Sequence, residues 1–239
     1  MTNSQIQNWS KRDLFGGTLL AMISATVLPE PGGPITKRQN ALIWGTILGD
    51  GHLQLSPNSQ KVRLRFDHGA KQSEYVWWLY KNLKSLCEGV SPPKIIPERE
   101  FFKCRAYTKY SKDLKKYHDL TYVKSAKANR RFEKVLPADL ADYVKDPEIL
   151  MVWLLDDGTL RRDSGALRLT TQGFTLEEHE ILQSCLSDNF GITSVIEKWP
   201  KGKAGLYMKR QEASKFVDLF SSTVVREIPS MLYKINLYL

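Results

Sequence analysis

Pro147-Glu148-Ile149-Leu150-Met151-Val152-Trp153-Leu154-Leu155-Asp156-Asp157-Gly158 is an apolar run closed by a carboxylate and a glycine. Ala41-Leu42-Ile43-Trp44-Gly45-Thr46-Ile47-Leu48-Gly49-Asp50-Gly51, about half the chain earlier, is another of the same kind. Both read as buried helices stopped by glycine, which tolerates the left-handed backbone common at helix ends. Aspartate at a helix C-terminus faces the negative end of the macrodipole and is disfavoured there by a few tenths to ~1 kcal/mol. A single Asp-Gly pair is an ordinary turn former. The same unfavourable charge at two matching helix ends points to a bound cation as compensation.

The residues downstream of each run repeat as well. After Asp50 come His52-Leu53-Gln54-Leu55, a polar turn at Ser56-Pro57-Asn58-Ser59, and the alternating Val62-Arg63-Leu64-Arg65-Phe66-Asp67-His68-Gly69, a half-buried strand. A helix is expected from Gln72 to Leu86. After Asp157 come Thr159-Leu160-Arg161-Arg162, a turn at Asp163-Ser164-Gly165, and Ala166-Leu167-Arg168-Leu169-Thr170-Thr171-Gln172-Gly173. A helix then runs from about Leu176 to Asn189, opened by a Thr175/Glu178 capping box. Asp50 to Gly69 is 19 positions and Asp157 to Gly173 is 16, which assigns the difference of three to the hairpin turn and makes His68 and Gln172 equivalent. A helix, hairpin, helix unit with a period of about 105 residues is a duplicated subdomain rather than a solenoid. Gly45 permits close approach of the two motif helices, and the larger Val152 at the matching position raises the question of whether it loosens them.

The forms Ile47-Leu48-Gly49-Asp50-Gly51 and Trp153-Leu154-Leu155-Asp156-Asp157-Gly158, with Thr171-Gln172-Gly173-Phe174-Thr175, resemble the LAGLIDADG homing endonucleases. The likeness is to the single-chain, two-motif, intron-encoded form and covers roughly residues 40 to 239. It implies an α/β (α+β) fold of two pseudo-symmetric αββαββα units, residues 39–146 and 147–239, with paired motif helices and an antiparallel β-saddle over double-stranded DNA. It further implies a monomer that cuts both strands of a long specific site across the minor groove and leaves short 3′ overhangs. The cofactor implied is Mg2+, with Mn2+ as a substitute, bound by Asp50 and Asp157, with Gly49 and Asp156 at the neighbouring motif position as further candidates for the metal site. By the same resemblance Lys134 and Lys234 stand where an active-site lysine is kept, and His68 and Gln172 where polar residues organise water. An RNA maturase acting on intron RNA is the alternative on the same fold, and its expected mark is a lost motif carboxylate. A transcription regulator on this scaffold would be expected to add a helix-turn-helix segment, and none is read here.

The chemistry of the residues agrees with that reading. Phosphodiester hydrolysis needs a metal to polarise the phosphoryl oxygen, generate hydroxide and stabilise the leaving alkoxide, and magnesium takes only one or two protein carboxylates beside phosphate and water. A nearby lysine can stabilise developing charge. The chain has 35 Lys plus Arg against 26 Asp plus Glu, a net charge of +9 that favours a polyanionic partner. Residues 109–134 carry nine basic side chains against three acidic, interleaved with Tyr110, Tyr117 and Tyr122, and 198–210 read as a basic hairpin. Gln54, Arg63, Arg65, Lys103, Arg105, Arg161, Arg162, Arg168, Lys198, Lys201, Lys203 and Lys209 are the candidate DNA-binding residues, the strand arginines projecting from one sheet face in each half.

Other chemistries are poorly supported. Cys87, Cys104 and Cys185 lack CxxC spacing, so neither a zinc site nor a disulfide framework is indicated; the natural setting is a reducing compartment, a chloroplast, mitochondrion or bacterial cytoplasm. No HExxH, P-loop, dinucleotide fingerprint or nucleophile elbow occurs. Residues 1–38 fall outside the resemblance and read as a poorly ordered extension with a short helix. Its apolar stretch Thr18–Leu28 is 11 residues long, too short for a bilayer, and Pro29-Glu30-Pro31-Gly32-Gly33-Pro34 comes next; no membrane partner is expected.

Overall fold

The first motif helix opens on a reciprocal cap: Thr36 Oγ1 accepts the Gln39 amide and Gln39 Oε1 accepts the Thr36 amide, both at 3.1 Å. This starts α1 (Lys37–Leu48) two residues before the expected unit boundary at 39. The structure is a computed structural model describing residues 34–126 and 131–238. The expected extension up to residue 33, and Lys127 and Arg130 of the basic segment, lie outside the described residues.

From α1 the chain runs through β1 (His52–Leu55), β2 (Val62–Gly69), α2 (Ser73–Asn82), β3 (Lys94–Glu98), β4 (Phe101–Tyr107) and α3 (Lys115–Thr121). A two-stranded ribbon, β5 (Tyr122–Lys124) and β6 (Phe132–Lys134), and the short α4 (Leu140–Tyr143) lead to the second repeat. That repeat comprises α5 (Pro147–Asp157), β7 (Gly158–Arg161), β8 (Ala166–Leu169), α6 (Leu176–Phe190), β9 (Val195–Trp199), β10 (Lys203–Met208) and α7 (Arg210–Asp218), then α8 (Ser221–Glu227) and a 3-10 turn, Pro229–Lys234. Each repeat is αββαββα, and each folds its strands into a four-stranded antiparallel sheet of the same order, β1-β2-β4-β3 and β7-β8-β10-β9. Among the described residues no helix is long and apolar enough to cross a membrane.

α1 and α5 form the centre because neither has a polar side. Every residue from Ala41 to Leu48 and from Ile149 to Leu155 is buried, and a helix apolar all round must be enclosed on all sides. Their contact is unusually close. A Cβ added at Gly45 would lie 2.5 Å from the Val152 Cβ, and one at Gly49 would lie 2.5 Å from the Asp156 Cβ. Asp50 and Asp157 are 107 positions apart, and the same offset carries Gly45 to 152 and Gly49 to 156. Residues facing their own counterparts must lie at the pseudo-twofold axis, which therefore passes through these two pairs, one helical turn apart. Val152 does not loosen the pairing; it fills the notch left by Gly45. The first turns are tied as well, since Arg38 of α1 reaches Glu148 of α5 (2.9 Å) and Glu227 of α8 (2.5 Å).

The hairpins correct the sequence register. His52 lies opposite Arg65, 13 positions on, whereas Thr159 lies opposite Arg168, nine positions on. The second hairpin is thus shorter by four residues, and the counterpart of His68 is Thr171, with Gly69 matching Gln172. β8 also ends at Leu169 rather than continuing to Gly173, because Phe174 N donates to Thr171 O (3.0 Å) in the turn that leads into the Thr175 cap.

Gly45→Ala should overpack the axis and lower stability by about 1–3 kcal/mol, read as a drop in the urea midpoint. Adding Val152→Gly, which moves the notch to the other helix, should recover part of that loss despite the ~1 kcal/mol cost of a helical glycine.

Candidate active site

The crossing of α1 and α5 brings their C-termini together. Gly49 N donates to Gly45 O (3.0 Å) and Gly51 N to Thr46 O (2.7 Å), and Gly158 N closes α5 on Leu154 O. These glycines are not the left-handed stops expected from the sequence, since Gly49 (φ −95°) and Gly158 (φ −75°) both have negative φ. They are needed for space. A Cβ would meet Asp156 at Gly49, Thr46 O at Gly51 and Leu154 O at Gly158, all within 2.6 Å.

Beyond these ends the Asp50 and Asp157 carboxylates line one cleft of about 370 Å³, together with Gly49, Lys134, Thr170, Thr171, Gln172 and Gly173. Burial and the charges of Asp50 and Asp156 push Asp157 up to about 8, against the opposing pull of Lys134 and Lys234. Asp50 is raised for the same reasons, burial first and Asp156 next. Two partly buried carboxylates whose pKa values are raised by burial and by neighbouring carboxylates attract a cation.

Both lysines act at the helix ends. Lys134 Nζ, carried by β6, donates to Ile47 O (2.8 Å), Gly49 O (3.0 Å) and Gly51 O (3.0 Å), capping the negative end of α1. Burial pulls its pKa down to about 8, even with Asp157 and Asp50 nearby. Lys234 Nζ, from the C-terminal 3-10 turn, donates to Gly158 O (2.7 Å), the counterpart of Gly51 O, and burial lowers its pKa too. The two lysines are equivalent in position but come from unlike elements.

Three other candidates divide differently. Gln172 is exposed at the rim of the cleft. Asp156 is turned away from it: its side chain is 1% exposed, accepts the Tyr75 hydroxyl (2.8 Å) and the Asp50 amide (3.1 Å), and faces His68 Nε2 (3.2 Å). His68 is likewise buried behind Asp50 rather than in the cleft. Burial works against its charged form, but Asp156 and Asp50 outweigh that and hold its pKa above the usual histidine value.

Strand register sorts the basic residues. Gln54, Arg63, Arg65, Lys103 and Arg105 share the polar face of the first sheet, and Arg161, Arg168 and Lys203 that of the second. Arg162 lies just beyond β7 in the turn, Lys198 pairs with Ala204 on the other face, Lys201 occupies the β9–β10 turn with φ 64°, and Lys209 is the N-cap of α7. Most of the strand arginines are already held. Arg63 bonds Gln54 (2.8 Å) and stacks on Tyr107 and Tyr110, Arg105 bonds Asp67 (2.6 Å), and Arg168 forks onto Glu197 (2.5 and 2.6 Å). Arg65 differs, its Nε being buried without a hydrogen-bond partner. Of the interleaved tyrosines, Tyr117 and Tyr122 are core residues; the Tyr122 hydroxyl holds the Leu53 amide (3.2 Å) and His52 Nδ1 (3.2 Å).

Among the described residues no group of three or more His, Cys, Asp and Glu side chains could enclose a metal ion. Two carboxylates in an open cleft instead suit a hard cation completed by phosphate and water oxygens, as magnesium prefers.

Residues 40–216 match the profile of the LAGLIDADG DNA endonuclease family. Among similar proteins, cytochrome b mRNA maturase bI2 of Saccharomyces cerevisiae is 26% identical over 215 residues, 87% of this chain and 49% of that protein, so the chain spans about half its length. DNA endonuclease I-ChuI of Chlamydomonas applanata is 26% identical over 190 residues, 75% of this chain and 86% of that one. In fold the chain is similar to the homing endonuclease I-WcaI bound to its DNA recognition sequence, with TM-score 0.71, 24% identity, and coverage of 85% of this chain and 88% of that one.

A folded carboxyl that keeps its proton up to about 8, against 3.8 when unfolded, makes the protein lose stability as pH rises through that window. Asp157→Asn should therefore flatten the fall of Tm with pH in metal-free buffer and raise Tm at neutral pH by about 2–6 °C. Differential scanning calorimetry reads both.

Proposed function

The chain belongs to the LAGLIDADG DNA endonuclease family, and from that we propose that it is a site-specific homing endonuclease that hydrolyses both strands of a long DNA duplex as a monomer. The observation that carries this reading is the convergence of Asp50 and Asp157 on one cleft between two helix ends, each end held by a lysine. Asp50 and Asp157 would hold Mg2+, or Mn2+ in its place. The bound ion supplies polarisation of the phosphoryl oxygen, an activated water and stabilisation of the leaving alkoxide.

The chain's own residues do the rest. Lys134 and Lys234 fix the two helix ends that carry the carboxylates and add positive charge beside the developing oxyanion. Gln172 at the cleft rim is suited to orient water. The polar faces of the two sheets take the duplex, Arg63, Arg105 and Arg168 being pre-oriented by their partners. Phosphate contacts supply most of the affinity, with steep salt dependence. In this reading residues 39–146 and 147–239 each provide one half-site. The three buried free cysteines suit a reducing compartment.

A second reading has one specific support, the similarity to an mRNA maturase over most of this chain. On that reading the same surface binds intron RNA and assists splicing. Retention of both motif carboxylates favours the nuclease.

Purified protein is incubated with a pool of duplexes containing candidate intron-insertion sites, with Mg2+ and separately with Ca2+. Double-strand cuts in Mg2+ and binding alone in Ca2+ are expected. Absence of any cut in Mg2+, together with tight intron-RNA binding, would establish the maturase reading instead. Asp50→Asn or Asp157→Asn should slow cleavage by at least about 100-fold while metal-free DNA affinity stays within about tenfold, or ~1.4 kcal/mol.

A further inference from the structure

The two carboxylates of the cleft are supported unequally. Asp156 reaches across the pseudo-twofold axis from α5, lies against the Cα of Gly49, and accepts the backbone amide of Asp50 on Oδ2 at 3.1 Å. Its other oxygen accepts the Tyr75 hydroxyl at 2.8 Å and faces His68 Nε2 at 3.2 Å. The same imidazole turns Nδ1 toward Asp50 Oδ2 at 3.8 Å. His68 and Tyr75 are tilted ring to ring, with centroids 4.9 Å apart, and Tyr75 is fully buried. Asp50 is thus gripped at its amide and approached at its carboxylate by one buried unit.

Nothing equivalent stands behind Asp157 among the described residues. The counterpart of Asp156 is Gly49, which has no side chain to return the contact. The register counterpart of His68 is Thr171, whose hydroxyl is engaged by His179 Nε2 at 2.8 Å. The space for the brace exists only because Gly49 is a glycine: a Cβ there would stand 2.4 Å from Asp156 Oδ2.

Taking the nuclease reading as given, we propose that Tyr75, Asp156 and His68 are positioning residues for Asp50 alone. One DNA strand is cut at a half-site whose carboxylate is braced from behind, the other at a half-site that lacks the brace. Misplacement of a reacting group by about 1 Å can cost about 100-fold in rate, so loosening the brace slows one strand selectively.

Two measurements test this. In strand-resolved cleavage of a duplex that the wild type cuts, Tyr75→Phe and His68→Ala should slow one strand at least about tenfold and leave the other within about twofold, so that nicked duplex accumulates. His68→Gln, which keeps a donor for Asp156, should restore most of the slowed rate. In the metal-free, DNA-free protein, amide hydrogen exchange read by NMR should rise at least about tenfold at Asp50 in Tyr75→Phe and Asp156→Ala, with the helical Asp157 amide unchanged. Equal slowing of both strands, or an Asp50 amide that exchanges as in the wild type, overturns the proposal while the nuclease reading stands. A wild type that cuts no duplex overturns the nuclease reading, and the exchange measurement still decides whether Asp156 and Tyr75 hold Asp50.

Discussion

The contact on which the rest of the molecule depends is the crossing of α1 and α5 at Gly45/Val152 and Gly49/Asp156. Interaxial distance is set by the side chains at the crossing, and here one partner of each pair has none. That fixes how closely the helix ends converge and therefore that Asp50 and Asp157 share a cleft. The two sheets hang from the same helices through β1 and β7, which begin within two residues of the motif carboxylates. A change at the crossing would move the cleft and the strands together.

The electrostatics oppose the packing. Two helix C-termini and three carboxylates gather in one region, and burial together with the charges of Asp50 and Asp156 pushes Asp157 up to about 8. Lys134 and Lys234 offset the helix dipoles by bonding the terminal carbonyls, and His68 offsets Asp156. Lys134 and Lys234 oppose the rise of Asp157, and His68 and Lys134 that of Asp50, but both carboxyls stay above their ordinary range, so the compensation is partial. Native proteins commonly tolerate such local cost where function requires it.

Much of this was legible in the sequence because it depends on local pattern. Apolar runs closed by Asp-Gly, alternation in Val62–Gly69 and the Thr175/Glu178 cap each encode their element within a few residues, and α6 begins at Leu176 as expected. The hairpin register was not legible, because sequence spacing counts residues while pairing is settled by which side chains face the core; a four-residue difference passed as three, and His68 was matched to Gln172 instead of Thr171. Nor could the sequence separate Asp156 from Asp157 by environment, since adjacent residues at a helix end point in different directions. The glycines read as helix ends, but they are required for space: Gly49 makes room for Asp156, 107 positions away, and Gly51 and Gly158 for carbonyls of their own helices. The acidic partners of the strand arginines were hidden likewise, for Glu197 reaches Arg168 only across β10.

The paired notch and knob at the axis also govern how this duplicated unit can associate. A symmetric pair of first halves would set Gly45 on Gly45 and Gly49 on Gly49, leaving a void at each level, and a pair of second halves would drive Val152 onto Val152 and bury Asp156 against Asp156. Each half is therefore shaped for the other and against itself. Having diverged at these two levels, the repeats are committed to sharing one chain or to finding a partner that carries the opposite set.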